Sequence, residues 1–249
     1  MTTTITHTPT VSVHSSRGRL GDAAAAAAAG HLRAAIGERG AAMLMLAAAP
    51  SQEATLEALA RQQGIAWDRV TCFHMDDYIG LDHDAPQGFG AWLERTFVSR
   101  VAAVTFHRIE VDGDPESCAE RYAAQLPDVP FDLVLLGLGV NGHLAFNDPP
   151  ARFDDPLPVR VVELDDVSRR QQVGEGHFGA MHEVPARAIT VTIPRLLFSE
   201  HVIASVPGAE KRQAVVDTLT TPIDPQRPGT ALRTHPDVAL FLDEESAPG

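Results

Sequence analysis

Cysteine and lysine are scarce in this sequence, and no long apolar run is present. The two cysteines, Cys72 and Cys118, show neither metal-ligand nor redox spacing, so we expect both to be reduced, as in a cytoplasmic protein. No stretch approaches the unbroken apolar length that a membrane span requires. Residues 1–20 lack the apolar core of a secretory signal. The sequence therefore predicts a cytoplasmic protein without a membrane-spanning segment.

Positive charge is also in short supply, because the formal net charge is −13. Nucleic-acid binding depends on neutralising phosphates with lysine and arginine, so this balance argues against a nucleic-acid partner. A phosphorylated small molecule would approach against the overall field and would need cations concentrated at its site. Each lysine or arginine near a predicted loop is therefore considered as a possible phosphate-binding residue.

The order of predicted elements favours one α/β domain. Apolar strands, such as the run at 131–138, alternate with helices, such as an alanine-rich segment at 23–36 with Asp22 as a possible N-cap. This alternation predicts a single doubly wound, mostly parallel sheet with helices on both faces, a Rossmann-like arrangement. We assign 1–20 to a partly ordered lead-in, 21–243 to the catalytic domain and 244–249 to a loose tail.

A glycine-rich loop follows the predicted strand at 131–138 and carries three polar side chains. These are an amide at Asn141, an imidazole at His143 and a carboxylate at Asp148. Ligands of open α/β sheets bind at the carboxyl ends of the strands. A carboxylate beside one imidazole nitrogen would fix the tautomer and leave the other nitrogen free to transfer protons. On its own, a loop histidine is more often a simple polar residue.

A second loop, 73–81, also follows a predicted strand and supplies Asp76 and Asp77. Adjacent residues of a strand point to opposite faces, so only one of the two carboxylates needs to face a site. The alternative is a solvated turn with a helix cap. Because two loops at one sheet edge carry acid and base groups, we expect an enzyme that moves protons on a small polar substrate.

A metal site is the alternative use of these side chains. The set His74, Asp76, Asp77, His143 and Asp148 contains groups that could bind a divalent cation. Their spacing matches no metal motif, and a mixed set of this kind serves metal-free acid and base catalysis equally well. We therefore expect neither a metal nor another cofactor.

Candidate anion-binding residues lie at two further places. Ser51 and Gln52 stand at a strand-to-helix junction, where free N–H groups and the helix dipole attract phosphate, although Ser51 could serve only as an N-cap. Lys211 lies just after another predicted strand end. Arginines also flank the glycine-rich loop in sequence, and one contact from among them is expected. They are Arg160, Arg169 and Arg170.

The two loops resemble those of the glucosamine-6-phosphate deaminase (isomerase) family, within the superfamily that includes 6-phosphogluconolactonase. Phe-His-Met-Asp-Asp-Tyr-Ile-Gly-Leu at 73–81 is similar to the family's F-N-M-D-E-Y-x-G-L. Gly-Val-Asn-Gly-His-Leu-Ala-Phe-Asn-Asp-Pro at 139–149 is similar to G-x-(N/D)-(D/N)-G-H-I-(A/G)-F-N-E-P. The resemblance extends over about residues 41–242.

This resemblance implies a reaction and a role for each residue. His143 would open the sugar ring, and Asp76 would move a proton from C2 to C1, so that glucosamine 6-phosphate becomes fructose 6-phosphate and ammonia. Asn141 and Asp148 would orient His143. The implied substrate-binding residues are Ser51, Gln52, Asp77, Gly142, Arg160 and Lys211. The implied partner is a small phosphorylated amino sugar, and a homo-oligomer is compatible with the sequence.

Some positions depart from the family pattern. The orienting glutamate is replaced by Asp148, which is shorter by one methylene, and Asn141 is an amide where some members have an aspartate. Val162 and Gly174 stand where members place further cations. Two alternatives therefore stay open: a lactonase or isomerase acting on another phosphosugar, and a sugar-phosphate sensor without catalysis.

Overall fold

The structure is a computed structural model that describes residues 5–249. The strands are β1 (Thr10–His14), β2 (Ala42–Leu46), β3 (Val70–His74), β4 (Asp76–Tyr78), β5 (Thr105–His107), β6 (Phe131–Leu136), β7 (Val159–Glu163), β8 (Arg187–Val191), β9 (Ser199–Val206) and β10 (Val238–Asp243). The helices are α1 (Arg17–Arg39), α2 (Pro50–Ala60), α3 (Phe89–Thr96), α4 (Pro115–Ala123), α5 (Asp166–Gly174), α6 (Ile193–Leu196) and α7 (Arg212–Thr220). Strands and helices alternate along most of the chain.

Seven strands form one parallel sheet in the order β1-β10-β9-β6-β2-β3-β5. The central strands β2 and β6 are buried almost throughout, as expected for a parallel sheet covered on both faces. Buried apolar residues form two clusters, one of which includes the alanine face of α1. The predicted fold class, a doubly wound α/β domain with a mostly parallel sheet, is confirmed.

The winding reverses between β2 and β6. From β2 the chain continues outward through β3 to β5, whereas from β6 it continues the other way through β9 and β10. The loops that follow the carboxyl ends of β2 and β6 therefore lead away from each other. Such a switch point leaves a crevice where ligands bind in open α/β sheets.

A second, three-stranded sheet of order β4-β8-β7 lies beside the crevice. Its pairings are antiparallel, and Asp76 of β4 lies opposite Thr190 of β8. The strand β4 follows β3 after one residue, so the chain passes directly from the large sheet into the small one. This small sheet was not expected from the sequence, because β4 has only three residues.

Residues 10–20 of the predicted lead-in are ordered, and its residues 1–4 lie outside the described part of the chain. Residues 10–14 form β1, which pairs with β10, and α1 begins at Arg17 rather than near residue 23. Ser16 accepts a hydrogen bond from the backbone N–H of Arg19, so Ser16 and not Asp22 caps the helix. The strand escaped the prediction because its alternating residues form an edge with one exposed face.

The end of the chain is also packed. Ser246, which was assigned to a loose tail, is fully buried, and its backbone N–H donates to Asp243 at 2.9 Å. Within the described residues, no helix is both long and apolar enough to cross a membrane.

Candidate active site

A cleft opens at the switch point, above the carboxyl ends of β2, β3 and β6. Residues from both predicted loops, from the start of α2 and from α5 meet there. The polar residues that line it are Ser51, Gln52, Asp76, His143, Gln171, Gln172, Glu175 and Lys211. Apolar walls come from Met75, Phe89, Leu138 and Phe146. Asp76 and His143, 67 residues apart in sequence, thus face one cavity.

Asp76 is a buried carboxylate at the floor of this cleft, with 5% of its surface exposed. Burial raises its pKa well above the ordinary value, the neighbouring charge of Asp77 raises it further, and the backbone N–H of Phe146 opposes both effects. Once ionised, such a carboxylate is a stronger base than an exposed one. The position therefore suits a group that removes a proton from carbon.

Asp77 does not reach the cleft, which corrects its expected role as a substrate contact. It accepts hydrogen bonds from the backbone N–H groups of Tyr78, Phe89 and Gly90, each at 2.9 Å. Two of these donors are the first residues of α3, whose N-cap residue Gly88 has no side chain to offer. Asp77 therefore caps α3 from a distance, because the alternation of β4 turns it away from Asp76.

His143 is held by the glycine-rich loop. A side chain at Gly139 would stand 2.4 Å from the imidazole ring, so the ring lies directly against the glycine backbone. Gly142 has a φ of 83° and shapes the turn at a separate pocket that does not include the cleft residues. Its expected part in substrate binding is therefore replaced by a conformational one.

Asp148 connects the residues behind the imidazole. Its Oδ1 lies 3.2 Å from His143 Nδ1 and accepts a hydrogen bond from Asn141 Nδ2 at 3.1 Å. Burial by itself would raise the pKa of Asp148, but hydrogen bonds from His143, Ser168 and the Asp165 backbone hold it well below the usual range. The carboxylate is therefore ionised, as an orienting partner for an imidazole must be.

Asn141 supports this arrangement from outside the cleft. Besides its hydrogen bond to Asp148, its Oδ1 accepts from the backbone N–H of His143 at 3.1 Å. The amide thus has a donor for the carboxylate and an acceptor for the loop, a pair of contacts that an aspartate could not make.

Lys211, the single lysine of the chain, lies at the other end of the cleft. Only 2% of its surface is exposed, and its Nζ lies 3.3 Å from Glu175 Oε1. Burial lowers the pKa of Lys211, and the Glu175 carboxylate opposes that effect. The Lys211 ammonium group is therefore buried, and the Glu175 carboxylate is its ion-pair partner.

Ser51 and Gln52 stand in the first turn of α2 beside Lys211 in the cleft lining. The helix begins after Ala49, so Ser51 is not the N-cap. Gln52 Nε2 donates to Ser51 Oγ at 3.2 Å and to the carbonyl of Ser205 at 3.0 Å. A side chain at Gly137 would approach Gln52 Nε2 to 2.8 Å, so glycine keeps this end of the cleft open.

The three arginines do not line the cleft, which corrects the expected phosphate contact of Arg160. Arg160 pairs with buried Asp155 at 2.8 Å in a neighbouring pocket. Arg169 donates to the carbonyls of Met181 and Val184. Arg170 is exposed. Arg169 and Arg170 were expected from nearness in sequence to the loop, and Arg160 also from the family resemblance, but tertiary packing directs all three elsewhere.

Sequence reasoning missed the contribution of α5 to the site. Gln171 accepts from the backbone N–H of Val140 at 3.0 Å, and Ser168 contacts both His143 and Asp148. Gln172 and Glu175 complete the lining. The sequence offered one signal for this role, because the predicted helix is polar and has no evident apolar stripe. Packing against the core does not by itself explain such a helix, so its polar side chains could have been considered for the site.

No group of three or more histidine, cysteine, aspartate or glutamate side chains within residues 5–249 is arranged to hold a metal ion. His74 is fully buried, and its Nε2 accepts from the backbone N–H of Ile109 at 2.8 Å. Burial and the nearby Arg108 lower the pKa of His74 to about 3, so this imidazole is neutral. It serves the packing behind Asp76.

Comparisons with known proteins identify similar sequences and structures. The family model described as glucosamine-6-phosphate isomerases/6-phosphogluconolactonase matches residues 15–240. A glucosamine-6-phosphate deaminase of Streptococcus pneumoniae (strain 70585) is 31% identical over 186 residues, which cover 74% of this chain and 77% of the relative.

Among solved structures, a monomeric glucosamine-6-phosphate deaminase superposes with a TM-score of 0.86 at 27% identity, over 95% of this chain and 98% of the other. A 6-phosphogluconolactonase from Shewanella baltica superposes with a TM-score of 0.80 at 18% identity, over 94% of this chain and 97% of the other. The second likeness concerns the fold alone.

Proposed function

This chain belongs to the glucosamine-6-phosphate isomerase/6-phosphogluconolactonase family, and from that membership we propose that it converts glucosamine 6-phosphate and water to fructose 6-phosphate and ammonia. The observation that carries the proposal is the cleft itself. It holds a buried carboxylate, Asp76, an oriented imidazole, His143, and a buried cation, Lys211.

The reaction begins with ring opening. His143 takes the proton of the anomeric hydroxyl and delivers it to the ring oxygen, which gives the open-chain aldehyde. Asp148 and Asn141 keep the imidazole in place during this transfer. A positioned acid or base of this kind contributes about 10²–10⁴ in rate.

Asp76 then carries out the isomerisation. Its carboxylate removes the proton from C2, the electron pair forms a double bond between C1 and C2, and O1 takes a proton from the ammonium group that the substrate carries at C2. Asp76 returns its proton to C1, and the enolamine becomes an imine at C2. Water adds at C2 and ammonia leaves, so that a ketone remains. The raised pKa of Asp76 matches a base that must accept a proton from carbon.

In the proposed complex the phosphate lies at the far end of the cleft, beside Lys211 and beside Ser51 and Gln52, which line that end from the first turn of α2. The free N–H groups and the dipole of a helix N-terminus favour an anion there. In this proposal the phosphate displaces Glu175 as the partner of Lys211.

Purified protein tests the proposal directly. Incubation with millimolar glucosamine 6-phosphate is expected to release ammonia and fructose 6-phosphate in equal amounts. Asp76→Asn is expected to abolish release and to prevent exchange of solvent deuterium into the hexose carbon positions. Absence of ammonia with the unaltered protein would contradict the proposal.

A 6-phosphogluconolactonase is the second candidate, because the family and the fold include such enzymes. That hydrolysis needs an activated water but no proton removal from carbon, so it gives no reason to bury a carboxylate at Asp76. Hydrolysis of 6-phosphogluconolactone without ammonia release from the amino sugar would favour it. Binding of both compounds without turnover would favour a sensor.

A further inference from the structure

Ser168 is a buried residue of α5 that contacts the two groups behind the proposed ring-opening step. Its surface exposure is 0%, although serine is usually found at the surface. Its Oγ lies 2.8 Å from His143 Nδ1 and is also hydrogen-bonded to Asp148 Oδ1. The direct contact between His143 Nδ1 and Asp148 Oδ1 is longer, at 3.2 Å. The serine hydroxyl therefore bridges the imidazole and the carboxylate.

The hydroxyl has a single hydrogen, so its two contacts must differ. Asp148 is ionised, as its lowered pKa requires, and an ionised carboxylate can only accept. The hydroxyl hydrogen of Ser168 is therefore directed at Asp148. Its oxygen then presents lone pairs to His143, and when Nδ1 carries the hydrogen it is shared between Ser168 Oγ at 2.8 Å and Asp148 Oδ1 at 3.2 Å, with the serine as the nearer acceptor.

We propose that Ser168 is a positioning residue that holds His143 in the tautomer with hydrogen on Nδ1. In that tautomer Nε2 has a free lone pair and can accept the proton of a sugar hydroxyl. The opposite tautomer would present an N–H to the hydroxyl and could not act as its base. Ser168 touches no substrate in this scheme and acts through the imidazole alone.

The bridge also bears on one departure from the family pattern, the replacement of the glutamate by Asp148. Asp148 is shorter by one methylene than the glutamate of the pattern, and Ser168 spans part of the distance that the shorter side chain leaves to Nδ1. A nucleophilic role for Ser168 does not fit the geometry, because Asp148 and Ser168 both approach the same ring nitrogen.

The position of Ser168 couples the imidazole to α5. One turn further along the helix, Gln171 Oε1 accepts from the backbone N–H of Val140 in the glycine-rich loop at 3.0 Å. The helix is therefore fixed to the loop at two points, and the productive tautomer depends on its docking.

Ring nitrogen shifts of the full-length protein test the proposal without any substrate. The protein is labelled with ¹⁵N-histidine, and His143 is identified by comparison with His143→Gln. We expect a protonated Nδ1 and an unprotonated Nε2 in the wild type, and a mixture of tautomers in Ser168→Ala. An unchanged tautomer in Ser168→Ala overturns the proposal.

Kinetics supply the second measurement, and this measurement alone rests on the proposed function. Ser168→Ala is expected to lower kcat for glucosamine 6-phosphate by about 10- to 100-fold, the range known for the hydrogen-bonding partners of metal-ligating histidines, with KM unchanged within about twofold. Ser168→Thr retains the hydroxyl and is expected to restore both kcat and the tautomer. Equal loss of kcat in the alanine and threonine variants overturns the proposal.

A matched control separates tautomer control from damage to the helix. Val167→Ala alters an exposed side chain on the same turn of α5 and is expected to leave kcat and the His143 shifts unchanged. Loss of kcat in Val167→Ala equal to that in Ser168→Ala would overturn the proposal. If the wild type releases no ammonia, the proposed function fails, whereas the nitrogen shifts still decide the role of Ser168.

Discussion

Asp76 and Asp77 are neighbouring buried carboxylates whose surroundings differ. Asp77 accepts three backbone hydrogen bonds, whereas Asp76 faces the cleft and has the Phe146 N–H as the one hydrogen bond that lowers its pKa. A buried charge without strong partners costs stability, while a carboxylate that caps a helix contributes to it. The pair therefore combines a reactive group with a structural one.

Asp76→Asn is expected to abolish turnover and to stabilise the fold. Because the pKa of Asp76 is raised in the folded state, its contribution to stability is fully present below the unfolded pKa near 3.8 and is lost as the pH rises through the folded pKa. Each unit of upward shift corresponds to about 1.4 kcal/mol at high pH. The free energy of unfolding of the variant should exceed that of the wild type, by an amount that grows as the pH rises above the unfolded pKa near 3.8 and levels off above the folded pKa.

Urea unfolding at several pH values measures this difference. A variant that is less stable than the wild type at every pH would show that the Asp76 carboxylate is satisfied rather than strained in the folded protein.

Asp77→Ala is expected to destabilise the protein by about 2–3 kcal/mol, because it leaves three backbone N–H groups without their acceptor and removes the cap of α3. Urea unfolding measures the change at neutral pH. In the fraction that stays folded, KM for the sugar phosphate should remain within about twofold of the wild type. A large rise in KM with unchanged stability would contradict the capping role and would indicate that Asp77 binds the substrate.

At the scale of elements, α5 spans the two ends of the cleft. Ser168 contacts the imidazole, and just past the C-terminus of α5 Glu175 pairs with Lys211, with Gln171 Nε2 donating to Glu175 Oε1 at 2.7 Å. The family pattern places a cation at the position of Gly174, whereas this chain has an anion beside it. The Glu175 carboxylate therefore pairs with Lys211 at the position proposed for the phosphate.

Glu175→Gln is expected to strengthen binding of inorganic phosphate by about three- to tenfold, because the competing carboxylate is removed while the shape is kept. The single lysine makes the measurement simple, since lysine labelled with ¹⁵N at Nζ alone gives one signal to follow during a phosphate titration.

Glu210→Gln is the matched control for this prediction. It removes the same charge from an exposed neighbour of Lys211 and should change the affinity much less. Equal affinity in the wild type and Glu175→Gln would show that phosphate does not displace Glu175 from Lys211.

At the scale of the whole molecule, a parallel sheet brings distant loops to one edge. The carboxyl ends of β2, β3 and β6 all lie there, so the catalytic groups and the anion site share one cavity. The chain as a whole is strongly acidic, with a formal net charge of −13. The proposed substrate, a dianion, would therefore be repelled at long range and bound at short range.

Salt is expected to relieve this repulsion. Raising the ionic strength from about 10 mM to about 100 mM shortens the screening distance from about 30 Å to about 10 Å. KM for glucosamine 6-phosphate should fall by about two- to threefold over this range while kcat stays constant. Steady-state kinetics in sodium chloride and in sodium acetate measure the effect. A steady rise of KM in both salts would show that anion competition at Lys211 outweighs the overall field.

The sequence predicted those parts of the site that local pattern encodes. The apolar strand at 131–136 and the loop that follows it placed Asn141, His143 and Asp148, and the strand before Asp76 placed the second loop. Residues of one loop lie only a few positions apart, so their proximity follows from chain geometry. The parallel fold then requires strand ends to share an edge, which is why a common cleft could be expected.

Other roles depended on contacts between distant segments. Asp77 was assigned to the substrate because nothing in the sequence shows that the start of α3 lies opposite it, 12 residues away. Arg160 was assigned to phosphate, but its partner Asp155 and the pairing of β7 with β8 hold it in another pocket. The strand β1 was overlooked because an edge strand becomes evident only when its partner β10 is known.

What the amino-acid order by itself determined was the alternation of strands and helices, the family and the two loops with proton-transfer groups, because hydrophobic period, glycine positions and short motifs are properties of neighbouring residues. Tertiary structure alone decided which polar side chains complete the cleft. Ser168 meets His143 across 25 residues, and Glu175 meets Lys211 across 36. Such contacts are selected by the packing of whole helices against the sheet, where burial and charge pairing compensate for the cost of ordering the chain.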